Sequence, residues 1–509
     1  MSDVNQALQR IARGTGIVFA GTVISMLFGF LSRAIIARYF STGEYGVFNL
    51  ALTILSIALV VATLGFQNAL PREVAFYREK ELSKLGRLIP TALIIVALNS
   101  LMITALLILG SDVVAQFFNE TRLKYALKIM ALALPFLALR GVIISITQGF
   151  GRVREKVYFQ NIIYPVLYLI LIVVGAILSF PFTYVFFAYV AAQALTLLAL
   201  VLDVWKIRLF ELKFSLDSKL GKKLVIFSVP LLLSGILSFV MNWTDTLMLG
   251  YYKSSETVGL YNAASPLARL IPIFLTSAGF LYSPIASQLY AQGKVEEMKR
   301  IYQVLTKWVF LLTLPIFAVM LLFPEATIKF FFGAKYVSAA SALQILALGF
   351  MFHTFLGLNG MSLIVIGDSS FILFSNFISA AFNVLLNTLL IPAYGINGAA
   401  VATAVSYFIA NVLMSLRLYQ KTSIHPFSQS YLKPLIITFV SLAIIRSLPL
   451  RVPSIWEALP ILAVFLGVYF FLVLLSRSVD KEDVELLLAV EKKLGVNLGI
   501  IKKVLGKFV

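Results

Sequence analysis

Three arginines stand where an apolar chain should carry no charge. Arg33, Arg140 and Arg269 each fall inside an apolar run, and one carboxylate, Asp245, falls inside another. A charged side chain at the centre of a bilayer costs at least ~2.5–3.5 kcal/mol on insertion, so it faces water, a partner or a ligand. A guanidinium can grip a phosphate through two parallel N–H···O bonds, which an ammonium cannot. Arg269 lies between Pro266 and Pro272 in ASPLARLIPIF. Two prolines so close free backbone carbonyls and bend a helix, and irregular backbone at membrane depth is tolerated where it lines a cavity. Arg33 is near the end of its run, so reaching out to the headgroups is the bland alternative. Arg140 is near the middle of its run, where that escape is harder. Asp245 suits a cation site, a proton site or a gate ion pair.

Polar amides form a softer set. Asn242 precedes Asp245 on the same run, and Asn359, Asn383 and Asn387 lie on later ones. Asn383 and Asn387 are four apart and share a helix face. These amides can bond sugar hydroxyls or fix helix packing, and packing is the more usual role. His353 can relay protons, but a single histidine in an apolar span is more often packed. With no cysteine and two histidines far apart in sequence, disulfides and thiolate chemistry are excluded and no metal site is expected.

The elements that carry these residues are membrane spans. Of 509 residues, 60% are hydrophobic and 13% charged, with a mean hydropathy of +0.95. A soluble chain would be about a quarter charged. The apolar runs number about fourteen, each long enough to cross ~30 Å of hydrocarbon. The polar start, MSDVNQALQRIARGTG, has no cleavable-signal pattern, so the first run is expected to act as the insertion signal.

Assigning alternate loops to opposite sides puts about thirty Lys and Arg on one side and nine on the other. That asymmetry implies a multi-pass protein of the plasma (inner) membrane with both termini cytoplasmic. It also accounts for the net charge of +19 without nucleic acid, as topology and attraction to anionic lipids. The C-terminal segment mixes lysines with apolar residues (EKKLGVNLGIIKKVLGKFV) and is expected to lie on the cytoplasmic leaflet as an amphipathic helix.

The chain also repeats itself at an offset of about 213 residues. RAIIARYFSTGEYGVFNLA (33–51) aligns with DTLMLGYYKSSETVGLYNAA (245–264). Gly46 meets Gly259, Asn49 meets Asn262, Pro71 meets Pro284, Tyr77 meets Tyr290, and Arg33 takes the place of Asp245. LKIMALALPF (127–136) later resembles LQILALGFMF (343–352). The expected organisation is all-α and integral to the membrane. Residues 1–210 form a six-helix bundle, residues 211–425 form a parallel second copy, and the two flank a central cavity. Residues 426–478 add two helices, and 479–509 form the tail.

These segments carry a family resemblance. STGEYGVFNLA (41–51), DTLMLGYYKSSETVGLYNAASPL (245–267) and NVLLNTLLIPAYGINGAAVATAVSY (383–407) resemble helix junctions of the polysaccharide flippases. Those flippases belong to the multidrug/oligosaccharidyl-lipid/polysaccharide exporter superfamily. The resemblance covers nearly the whole chain and implies a transporter with no catalytic residues. Its cargo would be an oligosaccharide on a polyprenyl- or dolichyl-phosphate or -pyrophosphate, turned from the cytoplasmic to the outer leaflet by alternating access. By the same resemblance, Arg33 and Arg269 would clamp the phosphate groups; Arg140, Asn242 and Asn359 are the further candidates for the substrate site from their own positions in apolar spans. Asp245 would couple H+ or Na+ or act as a gate. No cofactor is implied, and nothing demands more than a monomer.

Two other readings compete. A cation-coupled multidrug exporter of the same superfamily would favour acidic cavity residues, and Asp245 is the one clear intramembrane carboxylate. A membrane-embedded sugar polymerase or glycosyltransferase would need a sizeable outer loop with paired acids. The outer loops are short, and their acids (Asp112, Glu120, Glu256, Glu325, Glu457) are scattered.

Overall fold

The structure, a computed structural model, describes residues 3–209, 217–448, 452, 454–476 and 478. Every regular element among them is helical. In chain order these are α1 (Asp3–Tyr39), α2 (Thr42–Thr63), α3 (Phe66–Lys80), α4 (Leu82–Leu109), α5 (Ser111–Phe117), α6 (Thr121–Met130) and α7 (Leu134–Gly149). A π-helix (Lys156–Ile163) leads into α8 (Tyr164–Ile177), followed by α9 (Thr183–Lys206), α10 (Ser218–Tyr252), α11 (Ser255–Ala268) and α12 (Ile273–Ala291). Then come α13 (Val295–Leu322), α14 (Pro324–Phe331), α15 (Ala340–Phe355), α16 (Asn359–Val365), α17 (Ser369–Thr422), α18 (Gln429–Ser447) and α19 (Ile455–Leu475). The expected surface helix at 479–509 lies outside the described residues.

Eleven helical stretches among the described residues are long and apolar enough to span a membrane, or twelve if α11 and the start of α12 count as one bent span. That is fewer than the fourteen apolar runs. Part of the difference lies in α17, whose 54 residues bend at Gly395, where the backbone leaves helical geometry. At 1.5 Å per residue α17 would be about 80 Å long if straight, more than two crossings of ~30 Å.

The chain divides into two compact units. The first comprises Met1–Ala263 with Val384–Ala399, and the second Ala264–Asn383 with Ala400–Val509. In the first, α3, α4, α7 and the start of α10 close over Phe66, Leu70, Val74, Leu88, Val96 and Val142. In the second, α12, α13, α16 and the end of α17 close over Tyr282, Met298, Tyr302, Leu363, Met414 and Leu418. Leucines and phenylalanines such as Leu98, Leu109, Phe377 and Phe471 remain exposed, as a lipid-facing surface requires.

Local sequence explains the element ends that matter most. Ser41 caps α2 as a capping box: its hydroxyl accepts from Glu44 N–H while the Glu44 carboxylate accepts from Ser41 N–H. In the repeat-matched position Ser254 accepts from Thr257 N–H at 3.3 Å. Prolines inside helices leave a carbonyl without its usual donor four residues back. Pro71 frees the Gln67 carbonyl, which Ser145 Oγ–H bonds at 2.9 Å. Pro266 frees the Asn262 carbonyl, which the Tyr45 hydroxyl bonds at 3.1 Å.

Candidate functional site

In the first unit, α1, α7, α8 and α9 supply a cluster of two guanidiniums and three tyrosines. Arg140, on α7, is only 8% exposed. Its Nη1–H donates to Gln193 Oε1 on α9 at 2.5 Å, and its guanidinium carbon sits 4.9 Å from the centre of the Tyr164 ring. Among the described residues no carboxylate lies within ion-pair distance of it. Leaving a buried charge without a countercharge costs several kcal/mol, so this arrangement needs a reason. The neutral amide and the electron-rich ring face repay part of that cost.

Arg33, half-buried on α1, makes no ion pair or hydrogen bond among the described residues. It lies in the neighbourhood of Tyr45, Tyr164, Tyr168 and Tyr189. Tyr164 and Tyr168, one turn apart on α8, stack at 6.1 Å, and Tyr189 on α9 meets both edge-on at 6.3 and 5.7 Å. The π-helix just before α8 widens the backbone ahead of these tyrosines, a feature frequent at functional positions. Among the described residues the buried Tyr168 hydroxyl has no hydrogen-bond partner. Two cations and an unspent hydroxyl donor form a site that can take an oxyanion.

Asp245 forms a separate centre in the same unit. On α10 and 3% exposed, it accepts from the Tyr261 hydroxyl at 2.5 Å and from Asn387 Nδ2–H at 2.7 Å. Two neutral donors thus bond the carboxylate, and among the described residues Arg33 and Asp245 form no ion pair with one another. Asn242, half-buried, lies three residues before Asp245 on the same helix face. No cluster of three or more His, Cys, Asp or Glu groups occurs among the described residues. A cation at Asp245 would thus be held by one carboxylate with hydroxyl and amide oxygens.

The second unit holds Arg269. It occupies the break between α11 and α12, where the axis bends by 47° between Pro266 and Pro272. Its Nε–H reaches Ser265 Oγ at 3.3 Å, and its guanidinium lies 5.9 Å from the Phe350 ring. Asn359 is buried, and its hydrogen bonds are those of packing. Its Nδ2 donates to Ser415 Oγ at 2.9 Å and to the Asn411 side chain at 3.2 Å, while its Oδ1 accepts from Gly360 N–H. His353 joins the same network through Nδ1 and Asn411 Oδ1 at 2.8 Å.

Sequence reasoning found the arginines and missed their neighbours. Tyr164, Tyr168, Tyr189 and Gln193 were legible as i, i+4 pairs of polar-tipped residues on apolar spans, with Gln193 a single amide in such a span. The partnership of Asn387 with Asp245, 142 residues apart, left no local signal.

With this geometry in place, comparison with known proteins decides the family. The model of the polysaccharide biosynthesis protein family matches residues 11–290. The chain belongs to that family. A second model, MatE, matches residues 230–389, and both lie within the multidrug/oligosaccharidyl-lipid/polysaccharide exporter superfamily. An uncharacterized membrane protein of Methanocaldococcus jannaschii is 27% identical over 403 residues, 75% of this chain and 78% of that one. A protein of Haloferax volcanii named "probable low-salt glycan biosynthesis flippase" is 24% identical over 407 residues, 79% of this chain and 82% of its own. Among solved structures, lipid II flippase MurJ in an inward closed conformation has the same fold. Its TM-score is 0.74 at 16% identity, over 90% of this chain and 98% of that one. The protein is a multi-pass membrane transporter of this superfamily and not an enzyme.

Proposed function

We propose that this family member flips a lipid-linked oligosaccharide, carried on a polyprenyl- or dolichyl-phosphate or -pyrophosphate, from the cytoplasmic to the outer leaflet by alternating access. The observation that carries the reading is the pair Arg33 and Arg140, cations inside an apolar unit with no carboxylate beside either among the described residues. Such a site waits for an anion, and the phosphate groups are the anionic part of this cargo. Arg269, at the helix break of the second unit, is a further guanidinium able to meet an anionic group. The flippase named in Haloferax volcanii supports this substrate class. The protein works as a monomer in the plasma membrane with both termini in the cytoplasm, the orientation the loop charges favour. Asp245 takes the coupling H+ or Na+, and Asn242 and Asn359 are further candidate contacts for the cargo.

The test is reconstitution in liposomes carrying a fluorescent polyprenyl-pyrophosphate oligosaccharide in one leaflet. Protein-dependent movement to the other leaflet is read with an impermeant quencher or glycosidase. The alternative, a cation-coupled multidrug exporter, draws on the Asp245 carboxylate and the MatE match. It predicts gradient-driven movement of a cationic dye and none of the lipid. That result would remove the flippase reading.

A further inference from the structure

We propose that Gln193 sets the charge preference of the Arg33–Arg140 site, acting as a positioning residue that orients Arg140 without cancelling its charge. This rests on the reading that Arg140 meets the anionic headgroup. Three observations meet in it. Gln193 is 1% exposed and is the one hydrogen-bond acceptor for the Arg140 guanidinium among the described residues. The other face of that guanidinium is taken by the Tyr164 ring, which attracts a cation but carries no charge. The other group near it, Tyr189, is a neutral hydroxyl bearer; Tyr168, packed on Tyr164 and Tyr189, has a hydroxyl with no partner among the described residues. The site therefore keeps the full charge of Arg140, and Arg33 shares its tyrosine neighbours Tyr164 and Tyr189.

The Arg140 guanidinium by itself gives no reason for an amide at this position. Glutamate has the same length and shape and presents two acceptor oxygens to the guanidinium fork, where the amide presents one. A buried arginine is ordinarily matched with a carboxylate, because that countercharge repays its lost hydration. With glutamate the pair would be neutral, the guanidinium would be occupied, and an incoming phosphate would have to displace a like charge. With glutamine the acceptor aims one N–H and leaves the others for a ligand. One atom, nitrogen in place of oxygen, decides whether the pocket attracts anions.

The experiment compares full-length wild type, Gln193→Glu and Arg140→Ala in lipid nanodiscs. Binding of farnesyl pyrophosphate, a short polyprenyl pyrophosphate, is measured together with the thermal midpoint, and flipping is read in the liposome assay. Gln193→Glu is expected to fold, with a midpoint equal to or above wild type, while its affinity for farnesyl pyrophosphate falls about tenfold or more, the loss of a charge-assisted contact. A purely packing role would leave that affinity unchanged. Unchanged affinity in Gln193→Glu, with Arg140→Ala weakened, would overturn the role of Gln193 and leave the flippase reading standing. Failure of Gln193→Glu to fold would also overturn it, because the proposal requires glutamate to satisfy the fold. If wild type neither binds nor flips the pyrophosphate lipid, both readings fall.

Discussion

Gly46 and Gly259, matched in sequence at an offset of 213 residues, lie against each other where α2 crosses α11. A methyl group built on Gly46 would overlap the carbonyl oxygen of Ser255, and one built on Gly259 would overlap that of Thr42. Each carbonyl belongs to the residue four before the opposing glycine, so the two helices present the same small-xxx-small surface to one another. The crossing is fastened at its rim. Arg122 pairs with Glu120 at 2.8 Å, and the Ser255 hydroxyl donates to Glu120 at 2.5 Å. The following residues match as well: Asn49 Nδ2–H bonds the Tyr45 carbonyl and Asn262 Nδ2–H the Val258 carbonyl, each one turn back.

Because backbone fills the space at each glycine, even alanine should be refused. Gly46→Ala or Gly259→Ala is expected to destabilise the protein by about 1–3 kcal/mol, the usual range for overpacking. Gly29→Ala on α1, where nothing lies within 4 Å, should be neutral or slightly stabilising. Thermal midpoints of the three variants in one detergent make the comparison; equal losses at all three positions would refute the crossing.

Asp245→Asn replaces an acceptor-only group with one that must also donate. Tyr261 and Asn387 both donate to Asp245, so the variant loses at least one of these bonds, at a cost of about 1–3 kcal/mol. Its flipping is expected to lose dependence on the coupling gradient. Imposing a sodium gradient and a pH gradient separately on proteoliposomes identifies the ion, and retained coupling to both would exclude Asp245 as the ion site.

For Arg269, charge and fork geometry should separate. Arg269→Ala is expected to lower flipping by about tenfold or more, while Arg269→Lys keeps the charge but not the bidentate grip and falls between. Both should remain folded, since the bend is set by Pro266 and Pro272. Wild-type rates in Arg269→Ala would remove it from the headgroup site.

Asp368, in the short loop before α17, titrates below the usual carboxylate range because Arg417 Nε–H bonds it at 2.8 Å, with Lys421 adding a second contact at 3.2 Å. A depressed folded value means that the stabilisation is present above the ordinary carboxylate range and disappears as pH falls through the lowered value. The midpoint difference between wild type and Asp368→Asn should therefore be constant at neutral pH and shrink to nothing in strong acid. A difference that persists there would assign the effect to something other than the ion cluster.

Much of this architecture was legible in the chain itself. Hydropathy marks the spans because every backbone polar group in hydrocarbon must be bonded within its own helix, which forces long apolar runs. Ser41 with Glu44, and the prolines beside Arg269, announce a helix start and a helix break through rules that act over a few residues. The repeat singled out Gly46 and Gly259, and the cost of burying charge singled out Arg33, Arg140, Arg269 and Asp245. What the sequence could not supply was the partner of each. Arg33 and Asp245 are equivalent in the repeat, yet Asp245 is held by Tyr261 and Asn387, and Arg140 by Gln193 and Tyr164. Those neighbours are fixed by which helix faces meet, and among apolar faces of similar size many pairings satisfy hydropathy equally well. Only the packing of close-fitting side chains in three dimensions selects one.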